Sequence, residues 1–185
     1  RNFGRPPGSD MSNLLVQNIK HTNDTTAMTI DSSGRVQFEN KPAYHVYYAT
    51  GGSGDGLTGV IAWNTAKLNV GTMCNLSTGI ATIPVAGIYH LYFHALGTND
   101  SGGAMADDIH IRIETSTDSG NNYTSHQIAL GDHSTSGTAG YIAVSASVTL
   151  DLAANTLVRN RVSAQYTYVE NTANPYSYAG GFLIG

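Results

Sequence analysis

The sequence predicts an all-β protein built as a sandwich or a jelly roll. Only 12% of the residues are charged and 21 are glycines, a composition that favours strands joined by tight turns over helices. Short segments of alternating apolar and polar residues recur at regular spacing, with turn residues between them and no helical period. We therefore expect about ten antiparallel strands.

The first forty residues are predicted to stand apart from the main domain. Residues 1–10 carry a Pro-Pro-Gly-Ser run just before Met11, which is typical of a cloning-derived linker. Residues 11–40 are expected to form a short extended stem with one hairpin, whose turn lies at 31–34. A hairpin this short buries too little apolar surface to be stable alone, so other chains or the next domain should cover it.

Residues 41–185 are predicted to form one compact head. Strands are expected at 43–48 and 60–64, with a glycine-rich loop at 51–56 between them. The segment 87–95 alternates cleanly and carries bulky side chains on both faces, so both faces should be covered.

Three later segments repeat the alternation. In 108–114, Ile109, Ile111 and Ile113 alternate with charged residues and histidine, which predicts one buried face and one solvent face. The segments 141–152 and 158–168 follow the same scheme, which predicts strands there and no helix.

Bulk properties exclude several classes of function. The net charge is −4, and the nine Lys and Arg residues are scattered, so nucleic acid is not an expected partner. No apolar run approaches the ~18 residues that span a bilayer, so membrane insertion is not expected. The single cysteine, Cys74, excludes an intramolecular disulfide and a zinc site of several thiolates; we expect it to be a small buried residue.

No enzyme motif is convincing. Asp132, His133 and Ser134 are triad residue types, but adjacency in sequence does not give triad geometry, and a Gly-x-Ser-x-Gly elbow is missing. A phosphate loop and a dinucleotide fingerprint are also missing. We predict a protein that is not an enzyme, although a carboxylate pair assembled by folding stays open.

The order of motifs over about three quarters of the chain resembles the globular head of complement C1q and its relatives, a jelly roll of the tumour-necrosis-factor type. Two departures are Met73-Cys74, where tyrosine is usual, and Asn155-Thr156, which replaces a Gly-Asp turn and weakens a calcium site there. The six matching segments are Val-Ile-Ala-Trp-Asn at 60–64, Asn-Val-Gly at 69–71, Asn-Leu-Ser-Thr-Gly at 75–79, the Pro-, Gly- and aromatic-rich 83–94, 152–158, and Tyr-Ala-Gly-Gly-Phe-Leu-Ile at 178–184.

This resemblance implies a homotrimer. The bulky second face of 87–95 leaves Tyr92 and His94 facing outward, and we assign Tyr92, His94, Tyr178 and Phe182 to the trimer interface. Three copies of His94 around a threefold axis would also be able to hold a metal or an anion, but hydrogen-bonded interface histidines are the favoured interpretation.

Calcium is the one candidate cofactor. Relatives of this fold often bind calcium near the trimer apex, and Asp107 and Asp108 beside a Gly-Gly loop are the candidate ligands here. Two adjacent carboxylates supply fewer than the about 6–8 oxygens that calcium prefers, so a solvated loop is the favoured interpretation and no cofactor is certain.

The stem carries a second resemblance. Residues 19–36, Ile-Lys-His-Thr-Asn-Asp-Thr-Thr-Ala-Met-Thr-Ile-Asp-Ser-Ser-Gly-Arg-Val, resemble a segment of tail-fibre and structural proteins of marine bacteriophages, where it precedes a variable head. The resemblance implies a virion protein that acts outside the cell and contacts other virion proteins through the stem.

Together these observations predict a trimeric receptor-binding head, an adhesin at the tip of a phage tail fibre. It would bind a host-surface glycan or protein through loops at one end of the sandwich, namely 51–56, 97–106, 117–123 and 131–140. The candidate ligand-binding residues are Asn99, Asp100, His133 and Thr135.

Three alternatives stay open. The chain would also suit a structural virion decoration or neck protein that touches no host, or a secreted C1q-like recognition or signalling head, although the stem argues against the last. A polysaccharide depolymerase would need a carboxylate pair in a groove.

Overall fold

A computed structural model describes residues 16–24, 26–38, 40–48, 59–98, 108–132, 141–163, 167–168 and 176–185. The chain divides into two compact units, residues 1–40 and 41–185. The predicted linker at 1–10 lies outside the described residues.

The first unit contains a small antiparallel sheet in the order β1-β2-β3, formed by Asn18–Lys20, Thr26–Ile30 and Val36–Gln37. The predicted hairpin is confirmed as the pairing of β2 with β3. Its turn is held by Asp31, whose carboxylate accepts hydrogen bonds from the Ser33 and Arg35 backbone amides and from Arg35 Nε at 2.7 Å. β1 was not predicted, because a three-residue strand leaves almost no periodic signal.

The second unit is a sandwich of two six-stranded antiparallel sheets. The first sheet has the order β12-β9-β15-β4-β6 with β14 paired to β9, and the second has the order β11-β10-β13-β8-β7 with β5 paired to β13. A 3-10 helix spans Val70–Thr72. The predicted all-β jelly roll is confirmed, and its strands are β4 Ala43–Tyr47, β5 Gly59–Val60, β6 Thr65–Asn69, β7 Cys74–Asn75, β8 Ile80–Thr82, β9 Gly87–Thr98, β10 Asp108–Ser116, β11 Thr124–Asp132, β12 Tyr141–Leu152, β13 Leu157–Ser163, β14 Thr167–Tyr168 and β15 Tyr178–Leu183.

The core lies between the inner faces of the two sheets. Tyr89, Leu91 and Phe93 of β9 meet the three isoleucines of β10, and each of these side chains is at most 1% exposed. Trp63 packs edge-on against Phe93, with ring centroids 6.0 Å apart. The predicted inward faces of these two strands are confirmed.

Two predicted strands differ from the structure. The expected strand at 60–64 ends at Val60, and Ile61 and Trp63 continue into the core outside any strand. The expected strand at 158–168 is two strands, because β13 belongs to the second sheet whereas β14 pairs with β9 in the first. Alternation along the chain does not reveal a crossing between sheets, since the period is the same on both sides.

Glu114 is an exception to the predicted solvent face of β10. Its side chain is buried, and it accepts hydrogen bonds from Arg159 Nε at 2.7 Å and from Ser125 Oγ at 3.1 Å. The Arg159 guanidinium also lies over the ring of Tyr123, 3.5 Å from its centroid. The partners come from two neighbouring strands and a loop, which the sequence of β10 alone cannot show.

Several of the family-like motifs have a structural role here. The Asn69 side chain pairs with the Cys74 backbone at both its oxygen and its nitrogen, and so closes the 3-10 turn. Asn75 Oδ1 accepts from Ser77 N at 3.0 Å. Gly79 has φ +69, and a Cβ there would overlap the carbonyl oxygen of Ile61, so only glycine fits.

Cys74 is buried, as predicted, and it is a free thiol. Burial raises the pKa of this thiol to about 11 because the thiolate loses its solvation. The side chain therefore stays protonated and acts as a small apolar group of the core.

Candidate subunit interface

The outer face of the first sheet carries a cluster of rings, which we name the aromatic face: His45 on β4, His90, Tyr92 and His94 on β9, and Tyr178 and Phe182 on β15. These side chains alternate with inward residues such as Leu91 and Val46 and therefore point away from the core. The four residues predicted for the trimer interface are all in this cluster.

Strand register brings these rings together. Tyr178 is directly opposite His94 and Phe182 is directly opposite His90. The His94 and Tyr178 rings stack with centroids 5.0 Å apart and an interplanar angle of 20°, and the His90 and Phe182 centroids are 5.5 Å apart. Such cross-strand pairs stabilise a sheet.

Gly180 makes room for the centre of the aromatic face. It lies between Tyr92 on β9 and His45 on β4, because it is the register partner of both. The Tyr92 hydroxyl reaches across this glycine to His45 Nδ1, 2.7 Å away. A Cβ at Gly180 would overlap that hydroxyl and approach the Tyr44 carbonyl oxygen at 2.6 Å.

Hydroxyl groups of β12 hold two of the histidines from the other side. Ser145 Oγ is 2.7 Å from His94 Nδ1, and Thr149 Oγ1 is 3.1 Å from His90 Nδ1. A hollow of about 410 Å³ opens beside them; its lining includes Tyr92, His94, Ser145 and Tyr178. The aromatic face therefore has fixed rings around a shallow depression.

Burial favours the uncharged form of three side chains of the aromatic face. Desolvation lowers the pKa of His94. The pKa of His45 is lowered by desolvation and, to a smaller extent, by the positive charge of the nearby Lys67 ammonium. Desolvation also raises the pKa of Tyr92, with a smaller contribution from Tyr178. The uncharged forms of His94, His45 and Tyr92 are therefore favoured at neutral pH, which suits contact with another apolar surface.

Apolar side chains on this outer face are uncovered. Phe182 is 44% exposed, Ile88 on β9 is 46% exposed, and Leu68, the register partner of His45, is 47% exposed. Large exposed apolar patches mark interaction sites in soluble proteins. Among the described residues, no group of three His, Cys, Asp or Glu side chains is placed to hold a metal.

The predicted ligand-binding residues Asn99, Asp100, His133 and Thr135, and the candidate calcium ligand Asp107, lie outside the described residues. Asp108 begins β10, directly opposite Asp132 at the end of β11. Thr98 at the end of β9 is opposite Tyr141 at the start of β12. The strands that flank 99–107 and 133–140 thus end at one edge of the sandwich.

The loop 117–123 does not belong to that edge, which corrects the prediction of four ligand loops at one end. It joins Ser116 to Thr124 at the opposite end of the β10–β11 hairpin. Asp118 accepts hydrogen bonds from the Asn122 backbone, the Ser116 hydroxyl and the Asn122 amide group, and these bonds lower its pKa to about 2. The carboxylate therefore closes its own loop.

Sequence reasoning missed His45 and Gly180 as members of this site. The alternation of β4 indicates that His45 faces away from Val46, but only the pairing of β4 with β15 places it beside Tyr92 and Tyr178. The double glycine at 180–181 was a visible signal, since glycine inside a strand often marks a close approach.

No family model matches this chain, and no curated protein matches it. Among solved structures, the globular domain of zebrafish complement 1qA protein is similar, with a TM-score of 0.56, 20% identity, and coverage of 78% of this chain and 98% of that one. The second unit thus has a C1q-like jelly-roll fold. The described part of the chain contains no helix long and apolar enough to cross a membrane.

Proposed function

We propose that this chain is a homotrimeric, non-enzymatic receptor-binding head, an adhesin at the tip of a phage tail fibre. The observation that carries the proposal is the uncovered aromatic face on a C1q-like jelly roll. Its rings are ordered by hydrogen bonds and stacking, yet Phe182 and the neighbouring apolar side chain of Ile88 are about half exposed to solvent.

Trimerisation would bury the exposed apolar side chains of the aromatic face. In a closed ring, each subunit contributes the same surface around the axis, so the neutral aromatic face of one copy packs beside those of the other two. Tyr92, His94, Tyr178 and Phe182 form this interface, with His45 and His90 as further members. Uncharged rings lose little solvation on burial, which favours this face over the charged loops.

Ligand binding is assigned to the end of the sandwich where the strands flanking 99–107 and 133–140 end, which we name the loop edge. Asn99, Asp100, His133 and Thr135 belong to connections whose flanking strands end at one edge, so a trimer presents three copies of that edge. Linked copies raise avidity by ~10²–10⁴ without a stronger single contact. The ligand is a host-surface glycan or protein, and calcium at Asp107 and Asp108 is a candidate stabiliser of the same edge.

The placement on a virion comes from the stem. The resemblance of residues 19–36 to marine phage fibre segments supports a tail fibre outside the cell, in which the N-terminal unit contacts other virion proteins. The exposed Ile19 and Val36 of that unit, at 44% and 50%, are apolar side chains that such contacts would cover.

Combined alanine substitution of Asn99, Asp100, His133 and Thr135 should abolish adsorption to host cells while the melting temperature and trimer mass stay unchanged. Surface changes away from the core cost about 0.5 kcal/mol or less, whereas a binding site depends on a few loop groups. Adsorption is measured with labelled protein beside a melting curve.

The matched control replaces Thr117 and Thr124 by alanine, at the opposite end of the sandwich, and should adsorb like the parent. If the parent is a stable trimer that adsorbs to no candidate host, the structural virion protein becomes the better explanation. If the four-residue variant adsorbs like the parent, the binding site lies elsewhere.

A further inference from the structure

A row of four side chains crosses the outer face of the second sheet. In the strand register, Ile128 on β11 is opposite Arg112 on β10, Arg112 is opposite Arg161 on β13, and Arg161 is opposite Val60 on β5. Directly paired residues project to the same side of a sheet. We name these four residues the arginine row.

The arginine row faces solvent. Ile128 is 46% exposed and Val60 is 38% exposed, Arg161 is exposed, and Arg112 is half-buried between its neighbours. It lies on the second sheet, whereas the aromatic face lies on the first, so a trimer built through the aromatic face leaves it accessible.

The two arginines of the row are neighbours, and within the described part of the chain they have no acidic partner. Like charges directly opposite each other destabilise a strand pair. Glu114, two residues beyond Arg112 on β10, is already bound to Arg159 and Ser125. Among the described residues no ion pair involves Arg112 or Arg161, and Arg112 Nε is buried without a hydrogen-bond partner.

This arrangement fits an anionic group with aliphatic surroundings. A guanidinium presents a planar fork of donors that matches carboxylate and sulfate oxygens, and opposite side chains lie about 5 Å apart at Cβ, which lets two forks converge on one group. Ile128 and Val60 then offer aliphatic contact on either side of that group.

We propose that the arginine row binds acidic saccharides, through the carboxylate of a uronic acid or the sulfate of a sulfated sugar. An acidic sugar ring carries aliphatic C–H groups beside its anionic group. The anionic group would contact the two arginines, and the C–H groups would contact Ile128 and Val60. An acidic peptide that joins a sheet does so along an exposed edge strand, whereas this row runs across four strands. The row is a second binding surface of the proposed head, separate from the loop edge.

The test measures binding of the full chain to immobilised alginate and dextran sulfate, with neutral dextran and polyglutamate as comparisons. Arg112→Gln combined with Arg161→Gln should weaken binding to the acidic saccharides at least tenfold, while Lys20→Gln combined with Lys67→Gln, which removes two charges elsewhere, should not. Raising the salt concentration should weaken the parent, since exposed charges are screened.

Two further variants keep the test decisive. Arg112→Lys with Arg161→Lys retains the charge but loses the planar fork, so its binding should lie between the parent and the glutamine variant. The melting temperature of the glutamine variant should not fall, because the variant removes a repulsive pair; if it does fall, the lysine variant carries the comparison.

The inference is overturned if the parent binds acidic saccharides no better than neutral dextran, or if the glutamine variant binds like the parent. Equal or tighter binding to polyglutamate would make the occupant an acidic peptide. A failure of this inference is distinguishable from a failure of the loop-edge proposal. The four-residue loop variant retains the arginine row, so its loss of host adsorption would still support binding at the loop edge.

Discussion

Gly180 illustrates how one residue determines the shape of the candidate interface. It lies in the middle of β15, where the Tyr92 ring occupies the space that a Cβ would take. The hydrogen bond between Tyr92 and His45 depends on this space. A single methyl group at this position therefore affects three strands.

Gly180→Ala should lower the melting temperature by several degrees and weaken the trimer, because the methyl group displaces Tyr92 while the Tyr44 carbonyl oxygen limits backbone movement. Overpacking of this kind typically costs about 1–3 kcal/mol. Gly185→Ala is the matched control, since its Cβ would meet nothing within 4 Å. Equal melting curves and equal masses for the two variants would contradict the role of Gly180.

Ile111→Asp should unfold the head. Ile111 is 0% exposed, and a carboxylate placed there has no partner, which costs several kcal/mol against a total stability of about 5–15 kcal/mol. Circular dichroism and thermal melting measure the loss. Ile128→Asp makes the same chemical change on the outer face of the adjacent strand, where Ile128 is 46% exposed, and should be mild.

At the scale of elements, strand pairing decides which side chains meet. β9 lies between β12 and β15, so its outward histidines receive hydroxyl groups from β12 and rings from β15. The β10–β11 hairpin of the second sheet carries different groups. Its loop is closed by Asp118, and its outer face carries part of the arginine row. The two sheets therefore present different chemistry.

The histidines of the aromatic face should make the head sensitive to mild acid. Burial lowers the pKa of His94 below its ordinary value of 6.5, so the folded state binds a proton less readily than the unfolded state. The stability that the neutral ring provides is complete above about pH 6.5 and is lost as the pH falls toward the lowered pKa. The melting temperature should fall between pH 7.5 and pH 5.

His94→Gln is the comparison for the acid sensitivity. Glutamine does not titrate and retains a hydrogen-bonding group toward Ser145, so the variant should lose less of its melting temperature over the same pH range. A variant whose acid response matches that of the parent would show that other groups cause the effect.

At the scale of the whole molecule, the aromatic face is the proposed contact between heads. The stem unit and the head are separate compact units, and the first sheet of the head has the neutral, partly exposed rings expected of a subunit contact. The proposed trimer would bring three loop edges together, which a single head does not provide.

Tyr178→Glu should convert the trimer to a monomer, because it places a charge where rings of neighbouring copies meet, and a buried unpaired charge is costly. Light scattering during size-exclusion chromatography gives the mass directly. Tyr176→Glu is the control, since Tyr176 is 44% exposed and makes no ring contact with the aromatic face. A parent protein that is monomeric at micromolar concentration would refute the trimer.

Much of the head follows from the sequence. Alternation over 87–95 and 108–114 identified the inward residues of β9 and β10, because a period of two is imposed by the pleat of any strand. The same alternation placed Tyr92 and His94 outward, and the family-like motifs indicated the jelly roll. The hairpin of the first unit was predicted for the same reason, together with its turn.

Only the tertiary structure decided which outward residues are neighbours. Three contacts depend on the register between strands that are distant in sequence. They are the hydrogen bond between His45 and Tyr92, the contact of Glu114 with Arg159, and the pairing of Arg112 with Arg161. Register is set by the packing of the whole sandwich, and a period of two is the same in every strand. In β9 and β10 the sequence therefore determined which face a side chain takes, and the fold determined what it meets there.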